Sequence, residues 1–522
     1  MAGYTIFPFN SRYIDVSIFR LPMFKTSSTN LQPSMFSSAE MVMNRRQISV
    51  YSNPASWFNK FYELVVCLID ETVFEPLYSA DMGTPNVPIR VLVGMHSIKE
   101  GMGWSDRQLE EALLFNLAIR RALGFVNIDD MVPAMSSYYL WRKKTAEYDI
   151  VNGVNLMSQS FHQVAAEQIK LLQISGSAVR MDSKLIGSNI ASYTRYEIVW
   201  CALNKAEQEG QFKTLKPKLR KRLDEVLAVE AKKTIYDSNT ASVQKKLQEL
   251  GRLVYDILVS LKIQDGILHR VFHEQFKAEK GQVEARPKEE ISATSIQNPN
   301  DVDATYRQKD EQRVKGYSKN ITETVPEDGK PSIITDVQVE NASTADNTYT
   351  KDALETTELV TGRQITTLYA DGAYQSQEVA EYLSRKGIAS YFTGLQGKAP
   401  RYILNLESME LWVTDVKTGE RILAEERGEG VWRITLTDAE GKRSYRYFRK
   451  ADVERSYLRQ LQSRIPQEEF NKRNNVEAGM FQLSFHTRNN KTRYRGLEKH
   501  RFLACARATW MNFIRIANYQ AA

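Results

Sequence analysis

Two short apolar segments that each lead into an aspartate constrain the fold more than any other feature of this sequence. In AVRMDSKLIGS, Val179 and Met181 precede Asp182 in a short strand pattern. In ITTLYADGAYQ, an apolar run leads into Asp371, and Gly372 then turns the chain toward the next helix. Ligands of an open α/β sheet collect at the carboxyl ends of its strands. We therefore expect a sheet that carries both acids at its ligand-binding edge.

A third acid, Glu477, lies on a predicted helix. Apolar residues recur at helical spacing over 470–483, and Arg473 lies one turn before Glu477 on the same face. One interpretation is an exposed ion pair between these two residues, which is the common role of a lone surface glutamate. The other is a metal ligand, since the immediate neighbours of Glu477 are uncharged and a basic run over 488–501 follows.

In that order, and in strand, strand and helix contexts, Asp182, Asp371 and Glu477 resemble the DDE triad of bacterial insertion-sequence transposases. The resemblance implies an α/β fold with an RNase H-like mixed sheet, interrupted by a helical insertion and a β-rich insertion and preceded by an N-terminal helical domain. It also implies DNA cleavage and strand transfer at a site with two Mg²⁺ or Mn²⁺ ions. Carboxylate oxygens suit these hard ions, whereas the scarcity of His and Cys argues against zinc.

The surroundings of Glu477 are similar to the Y-x2-R-x3-E-x6-K signature of the hairpin-forming branch of these enzymes. Phe470, Arg473, Glu477 and Ser484 occupy its four positions. Phe470 retains a ring that can stack but lacks the phenol. Ser484 cannot supply an ammonium group, so that role passes to a residue such as Lys491.

The sequence pattern divides the chain into seven segments. They are an N-terminal arm (1–55), a helical DNA-binding leader domain (56–170), the first part of the RNase H-like core (171–196), a helical insertion and linker (197–300), the second part of the core (301–399), a β-strand insertion (400–450), and the third part of the core with basic C-terminal helices (451–522). Residues 1–55 read as an irregular, extended arm, and residues 277–300 as a polar linker.

The helical insertion contains a short seam of apolar residues spaced alternately by four and three positions, from Val243 to Leu261. Such spacing is typical of a helical hairpin or of a coiled coil that joins two chains. The seam is short for a coiled coil, so we expect it to pack within the insertion.

The positive charge of the chain lies at its C-terminal end. Residues 452–522 contain 13 Lys/Arg and 6 Asp/Glu, a difference of +7 that equals the net charge of the whole chain. A solvated basic face is one explanation. Phe485, Tyr494 and Trp510 lie among these charges and favour a nucleic-acid surface, because phosphates bind cations and exposed bases stack on flat rings.

Candidate DNA contacts occur in three regions, and each has a structural alternative. Near the third acid they are Phe470, Arg473, Lys491, Arg493 and Arg495; in the β-strand insertion they are Trp412 and Trp432; in the leader they are Arg120, Arg121, Arg142, Lys143 and Lys144. For both tryptophans the alternative is a place in the core of the insertion. For the leader it is a helical platform packed on the catalytic core.

We expect a DNA transposase that binds double-stranded terminal repeats and target DNA, acts as a homodimer in the synaptic complex, and works in the cytoplasm at the nucleoid. A nuclease of RNase H-like fold without strand transfer, a catalytically inactive DNA-binding relative, and a scaffold built from the inserted helices are the alternatives. No apolar run is long enough for a membrane span, and three dispersed cysteines form neither a disulfide framework nor a zinc site.

Overall fold

The computed structural model describes residues 24–27, 37–79, 86–309, 311–393, 400–437 and 441–521, without the side chains of 461, 470, 474 and 475. Most of the predicted N-terminal arm therefore lies outside the described residues. Within the arm, α1 (Ser38–Met41) and α2 (Arg45–Tyr51) are helices, so the prediction of an irregular chain is wrong there. The side chains of Asn44 and Gln47 each accept a hydrogen bond from the other's backbone N–H, and this reciprocal cap begins α2.

The remaining helices follow in chain order. They are α3 (Trp57–Leu64), α4 (Ile89–Met102), α5 (Asp106–Phe115), α6 (Leu117–Ala122), α7 (Met135–Asn152), α8 (Leu156–Leu172), α9 (Arg195–Gln208), α10 (Pro217–Leu227), α11 (Ala231–Tyr236), α12 (Thr240–Leu261), α13 (Gly266–Gln275), α14 (Thr350–Thr361), α15 (Gln377–Lys386), α16 (Lys450–Ser463), α17 (Gln467–Leu483) and α18 (Leu497–Tyr519). The helical character predicted for the leader and for the first insertion is confirmed.

The strands are β1 (Ala178–Gly187), β2 (Phe276–Glu279), β3 (Gln282–Ala285), β4 (Thr305–Lys309), β5 (Gln312–Thr324), β6 (Ile334–Asn341), β7 (Thr367–Asp371), β8 (Ala389–Thr393), β9 (Tyr402–Glu407), β10 (Glu410–Asp415), β11 (Arg421–Leu423), β12 (Glu425–Gly428), β13 (Val431–Thr437) and β14 (Arg443–Arg449).

The main sheet has β1 at its centre. β5 pairs antiparallel with β1, and β6 and β4 pair antiparallel with β5; on the other side β7 runs parallel to β1, and β8 parallel to β7. The order β6-β5-β1-β7-β8 is the predicted RNase H-like arrangement, with β4 as an additional edge strand. Asp371 lies at the end of β7, as expected, but Asp182 lies in the middle of β1, which continues to Gly187. The expectation that both acids lie at the carboxyl ends of their strands is therefore wrong for Asp182, because β1 extends further along β5 than its apolar pattern indicated.

The two faces of β1 have different partners because strand side chains alternate between faces. Val179 and Met181 are fully buried in a cluster that includes residues of α14 and α15. The opposite face carries Arg180 and Asp182, and it is covered by α17.

The first insertion packs around a core of its own. Leu247, Leu250, Val254 and Ile257 of α12 are buried there with residues of α9 and α13, which confirms packing within the insertion. The prediction of a polar linker over 277–300 is wrong at its start, because β2 and β3 form an antiparallel hairpin. This hairpin forms because it buries apolar side chains in the same core.

The second insertion forms strands, as predicted. β9, β10 and β11 make one three-stranded antiparallel sheet, and β12, β13 and β14 make another. Residues from both sheets and Val453 of α16 share one small hydrophobic core. The insertion thus consists of two packed sheets.

The N-terminal helices share a hydrophobic core with α18 and with β5 and β6 of the main sheet. A buried polar network also crosses this contact, in which the Glu100 carboxylate accepts hydrogen bonds from Lys99 Nζ at 3.1 Å, Arg493 Nη2 at 2.9 Å and the Tyr494 hydroxyl. Burial acts to raise the pKa of Glu100, but the surrounding cations outweigh it and lower the pKa to about 2. The leader thus packs on the catalytic core, as one of its two interpretations predicts. Its recognition of terminal repeats stays a prediction.

Among the helices of the described residues, none has the length and apolar character that crossing a membrane requires.

Candidate active site

One face of β1 and the helix α17 form the candidate site. The Arg180 Nη1 donates to the carbonyl oxygen of Lys472 at 2.8 Å, which fixes α17 against the strand. Two residues further along β1, the Asp182 Oδ1 lies 3.7 Å from the Arg473 Nη2. Because Arg180 and Asp182 share a face, the strand presents both to the same turn of α17.

Arg473 joins two of the predicted acids, and the third lies beside them. Its guanidinium reaches Asp182 on β1 and lies 3.4 Å from the Glu477 Oε1, one turn along α17. Asp371 is near enough for its negative charge to act on Asp182. The Asp371 Oδ1 accepts a hydrogen bond from the Gly372 N–H at 2.6 Å, which orients the carboxylate where β7 ends. Asp182 and Glu477 therefore meet at Arg473, and Asp371 lies within electrostatic range of Asp182.

Asp182 is held in an environment that disfavours its charged form. Its side chain is only 14% exposed, and burial raises its pKa to about 6. The Arg473 guanidinium and the Ser183 N–H act in the opposite direction, whereas the charge of Asp371 adds to the rise. Desolvation outweighs the attraction to Arg473.

This shift predicts a pH-dependent stability. For an acid whose pKa is higher in the folded than in the unfolded chain, the stabilising contribution is complete at pH values below the unfolded pKa of about 4. That contribution is lost as the pH rises through the folded pKa. In EDTA at pH 8, Asp182→Asn should therefore raise the free energy of unfolding by roughly 2–3 kcal/mol, and this gain should shrink toward pH 5. Urea unfolding at pH 5 and at pH 8 measures the free energy of unfolding of each variant. Asp352→Asn, an exposed acid on α14, is the matched control, and equal stability of Asp182→Asn and wild type at pH 8 would contradict the prediction.

The donor set suits a hard divalent cation, but the side chains are not arranged as a metal centre. Within the described parts of the chain, no group of three or more His, Cys, Asp or Glu side chains could hold a metal ion. Arg473 instead lies between Asp182 and Glu477. The Glu477 side chain is 61% exposed, so it can turn toward Asp182 once the guanidinium moves. Oxygen donors of this type are those that Mg²⁺ and Mn²⁺ prefer.

A cavity of about 590 Å³ opens next to Asp182. Ser183, Lys184, Arg307 and Lys309 are among its lining residues, and the charge of Lys309 acts to lower the pKa of Asp182. Glu311 and Asp346 line it as well, and Asp346 pairs with Arg307 at 3.0 Å. The lining is therefore of mixed charge, with Lys184 and Lys309 as its cations outside that ion pair.

Two family comparisons bear on this geometry. The family described as Transposase DDE domain matches residues 290–513, and the family described as Transposase domain (DUF772) matches residues 53–144. The chain belongs to the insertion-sequence DDE transposases. The first match includes Asp371 and Glu477, whereas Asp182 lies between the two matched regions. No curated protein and no solved structure matched the transposase.

The signature positions of the hairpin-forming branch are only partly accounted for in this transposase. The Phe470 side chain lies outside the described residues. Ser484 is buried at the C-terminal end of α17, where its N–H donates to the Met480 carbonyl oxygen at 3.2 Å. Lys491 is exposed, and its Nζ donates to the Ile190 carbonyl oxygen at 3.1 Å.

The basic residues after α17 differ in the hydrogen bonds that their side chains make within the fold. Arg493 donates to the Glu100 carboxylate and to the Trp104 carbonyl oxygen, which ties it to α4 and to the residues that follow this helix. Arg495 is exposed, and its Nε donates to the Asn189 carbonyl oxygen at 2.6 Å. Arg495 is thus held by fewer hydrogen bonds than Arg493.

Among the leader candidates, Arg120 has a structural role within the fold. Its buried guanidinium donates to the carbonyl oxygens of four residues, namely Leu113, Asn127, Ile128 and Asp130. We therefore leave Arg120 out of the proposed DNA contacts. Arg142 is largely covered, with a side-chain exposure of 18%, and lies over the ring of Tyr138.

Three leader candidates remain at or near the surface. Arg121 donates to the Asn59 side chain at 2.8 Å. Lys143 is 70% exposed and pairs with Glu147 along α7. Lys144 Nζ contacts the Leu77 carbonyl oxygen at 3.4 Å. Of these, Lys143 is held least by its neighbours.

The predicted aromatic contacts are mostly covered. Trp432 is 8% exposed in the core of the second insertion, which is its structural alternative. Trp412 is half-buried beneath the Arg421 guanidinium, 4.5 Å from the ring centroid. Trp510 packs on Phe61 in the main core.

Of the remaining two C-terminal aromatics, Tyr494 belongs to the buried Glu100 network and Phe485 is 54% exposed. Phe485 lies edge-on to the exposed Phe481 ring, with 6.0 Å between centroids. Lys184 Nζ, which lines the cavity beside Asp182, lies 5.9 Å from the Phe481 ring centroid.

Sequence reasoning missed the network that positions α17. Glu323 of β5 is fully buried and accepts from Arg180 Nε at 2.7 Å and from Arg515 Nη1 of α18 at 2.7 Å. The available signal was strand alternation, since Arg180 lies two residues before Asp182 and must share its face. Its partner Glu323, and Arg515 that also donates to Glu323, are distant in sequence, and no local pattern links them to Arg180.

Proposed function

We propose that this transposase cleaves DNA at the ends of its insertion sequence and joins the released ends to target DNA. Asp182, Asp371 and Glu477 are the proposed catalytic, metal-binding acids. The observation that supports the proposal is that Arg473 lies within 4 Å of both Asp182 and Glu477, while the charge of Asp371 acts on Asp182. A carboxylate as buried as Asp182 is destabilised when charged, so it gains from binding a cation.

Two Mg²⁺ or Mn²⁺ ions held by these acids would supply an activated oxygen nucleophile and a stabilised leaving oxygen. Asp182 is the proposed shared ligand, because it contacts Arg473 together with Glu477 and also lies within electrostatic range of Asp371. Asp371 is oriented by the Gly372 N–H, and Glu477 turns in from the exposed face of α17.

Arg473 has a second proposed role. In the present arrangement its guanidinium neutralises Asp182 and Glu477. We infer that it transfers to the scissile phosphate when DNA and cations occupy the site, because a guanidinium binds phosphate oxygens in a bidentate manner. Its Nε is buried without a hydrogen-bond partner among the described residues, so its present bonding is incomplete.

The proposed DNA path follows the accessible cations. Lys184 and Lys309 lie at the cavity beside Asp182, and Lys491 and Arg495 lie after α17. These residues contact the flanking phosphates, which provide the sequence-independent part of DNA affinity. Lys143 of the leader is the proposed contact to terminal-repeat DNA.

The partners follow from the reaction. Two element ends must be processed together, so we propose a homodimer in the synaptic complex with double-stranded DNA. The proposed place of action is the cytoplasm, at the nucleoid.

A cleavage and joining experiment tests the proposal. The full chain is incubated with a duplex from the ends of its element, a target plasmid and Mg²⁺, and nicks, hairpins and joined products are resolved on denaturing gels. We expect joined products with Mg²⁺ and none with EDTA. Nicking without joining supports the nuclease alternative. Salt-dependent binding without any product supports the inactive DNA-binding relative and overturns the proposal.

A further inference from the structure

The edge strand β14 exposes a strip of alternating arginine and tyrosine residues. Arg443, Tyr445, Tyr447 and Arg449 are two residues apart, so their side chains stand on one face of the strand. All four are exposed, with Tyr445 at 53% and Tyr447 at 54%. Phe448, on the opposite face, is buried in the core of the second insertion. Ser444 and Arg446 on that opposite face are exposed, so β14 is anchored through Phe448 and the strip is open along its length.

The charge of this face is mainly positive. Arg433 of β13 pairs in register with Tyr447, and its guanidinium lies 4.6 Å from the Tyr445 ring centroid. The acid next to it is Glu425, which accepts from Arg433 at 2.8 Å. Among the described residues, Arg443 and Arg449 have no ion-pair partner, so both guanidinium groups are available to an anionic ligand.

We propose that the β14 strip binds an unpaired strand of DNA, an inference that rests on the proposed function. Side chains two residues apart on a strand are separated by roughly 6.6 Å, about twice the rise of stacked nucleotides. Two neighbouring bases can therefore each lie on a separate tyrosine ring only when the DNA strand is extended. A duplex hides its base faces by stacking, whereas a single strand presents them. The flanking arginines reach the phosphates, as in other surfaces that bind single strands.

The usual explanation of charges on an edge strand accounts for only half of the strip. Arginines at an edge discourage pairing with strands of other molecules. They do not explain two adjacent exposed tyrosines on the same face. Trp412 and Trp432, the predicted aromatic DNA contacts of the second insertion, are half-buried and buried respectively. Tyr445 and Tyr447 are therefore the exposed aromatic pair among the described residues of this insertion.

The test compares single-stranded and double-stranded binding of the full chain. Fluorescence anisotropy is measured at fixed salt with a labelled oligonucleotide of the element end and with the same sequence as a duplex. Tyr445→Ala/Tyr447→Ala should weaken single-strand binding by about tenfold or more. Duplex binding should change by less than about twofold, because phosphate contacts elsewhere dominate it. Tyr445→Phe/Tyr447→Phe should retain single-strand affinity, since stacking needs the ring and not the hydroxyl.

Tyr457→Ala is the matched control, because Tyr457 of α16 is 59% exposed and lies outside the strip. Unchanged single-strand binding in the double alanine variant overturns the inference, as does an equal loss with Tyr457→Ala. A change of mass in light scattering without a change in single-strand binding also overturns it and assigns the strip to a protein contact. The proposed function fails separately, if the wild type yields no Mg²⁺-dependent product from duplex ends.

Discussion

Asp371→Asn is expected to abolish nicks, hairpins and joined products while leaving the binding of end DNA intact. Asparagine keeps the volume of the side chain and an oxygen that accepts the Gly372 N–H, so the end of β7 retains its geometry. What is lost is the negative charge that holds a divalent cation. Losing several kcal/mol of transition-state stabilisation lowers the rate by more than about a hundredfold. Denaturing gels measure the products, and gel mobility shifts measure binding.

The control for this variant is Asp352→Asn, because Asp352 is an exposed acid on α14 close in sequence to Asp371. Its products should match those of the wild type in amount. Undiminished nicking by Asp371→Asn would remove this residue from the proposed site. Loss of DNA binding together with the products would show that the substitution disturbed the fold instead.

Local patterns predicted the elements that carry the candidate site. Strand alternation and apolar runs located Asp182 and Asp371 on β1 and β7, and helical spacing located Glu477 on α17. Each pattern depends on a few neighbouring residues, so the insertions between the three segments do not change it. The two strands that carry the aspartates are parallel neighbours in the sheet.

The sequence did not predict which side chains the fold would cover. Tyr494 and Trp510 lie among basic residues and looked available to DNA, yet one bonds to Glu100 and the other packs on Phe61. Burial of this kind depends on the leader helices docking against α18, which involves partners hundreds of residues away. Tyr445 and Tyr447 were missed for the converse reason, since their exposure follows from the place of β14 at a sheet edge.

Glu323→Gln is expected to destabilise the transposase by roughly 3–5 kcal/mol, because it leaves two arginines without their buried anionic partner. Glu323 has no exposed surface and accepts from both Arg180 and Arg515. Urea unfolding followed by circular dichroism measures the change in the transition of the main sheet. Glu407→Gln is the matched control, since its pair with Arg421 at 2.6 Å is about half exposed and should contribute less than about 1 kcal/mol.

The same variant separates positioning from stability. Arg180 also holds the carbonyl oxygen of Lys472, immediately before Arg473, so a loosened Arg180 lets α17 shift relative to Asp182. At a temperature where Glu323→Gln remains folded, we expect normal binding of end DNA and reduced cleavage. Glu323→Asp, which keeps the charge, should recover part of that cleavage. Full cleavage by folded Glu323→Gln would mean that the position of α17 does not depend on this network, and that Arg473 and Glu477 are placed by the packing of the helix alone.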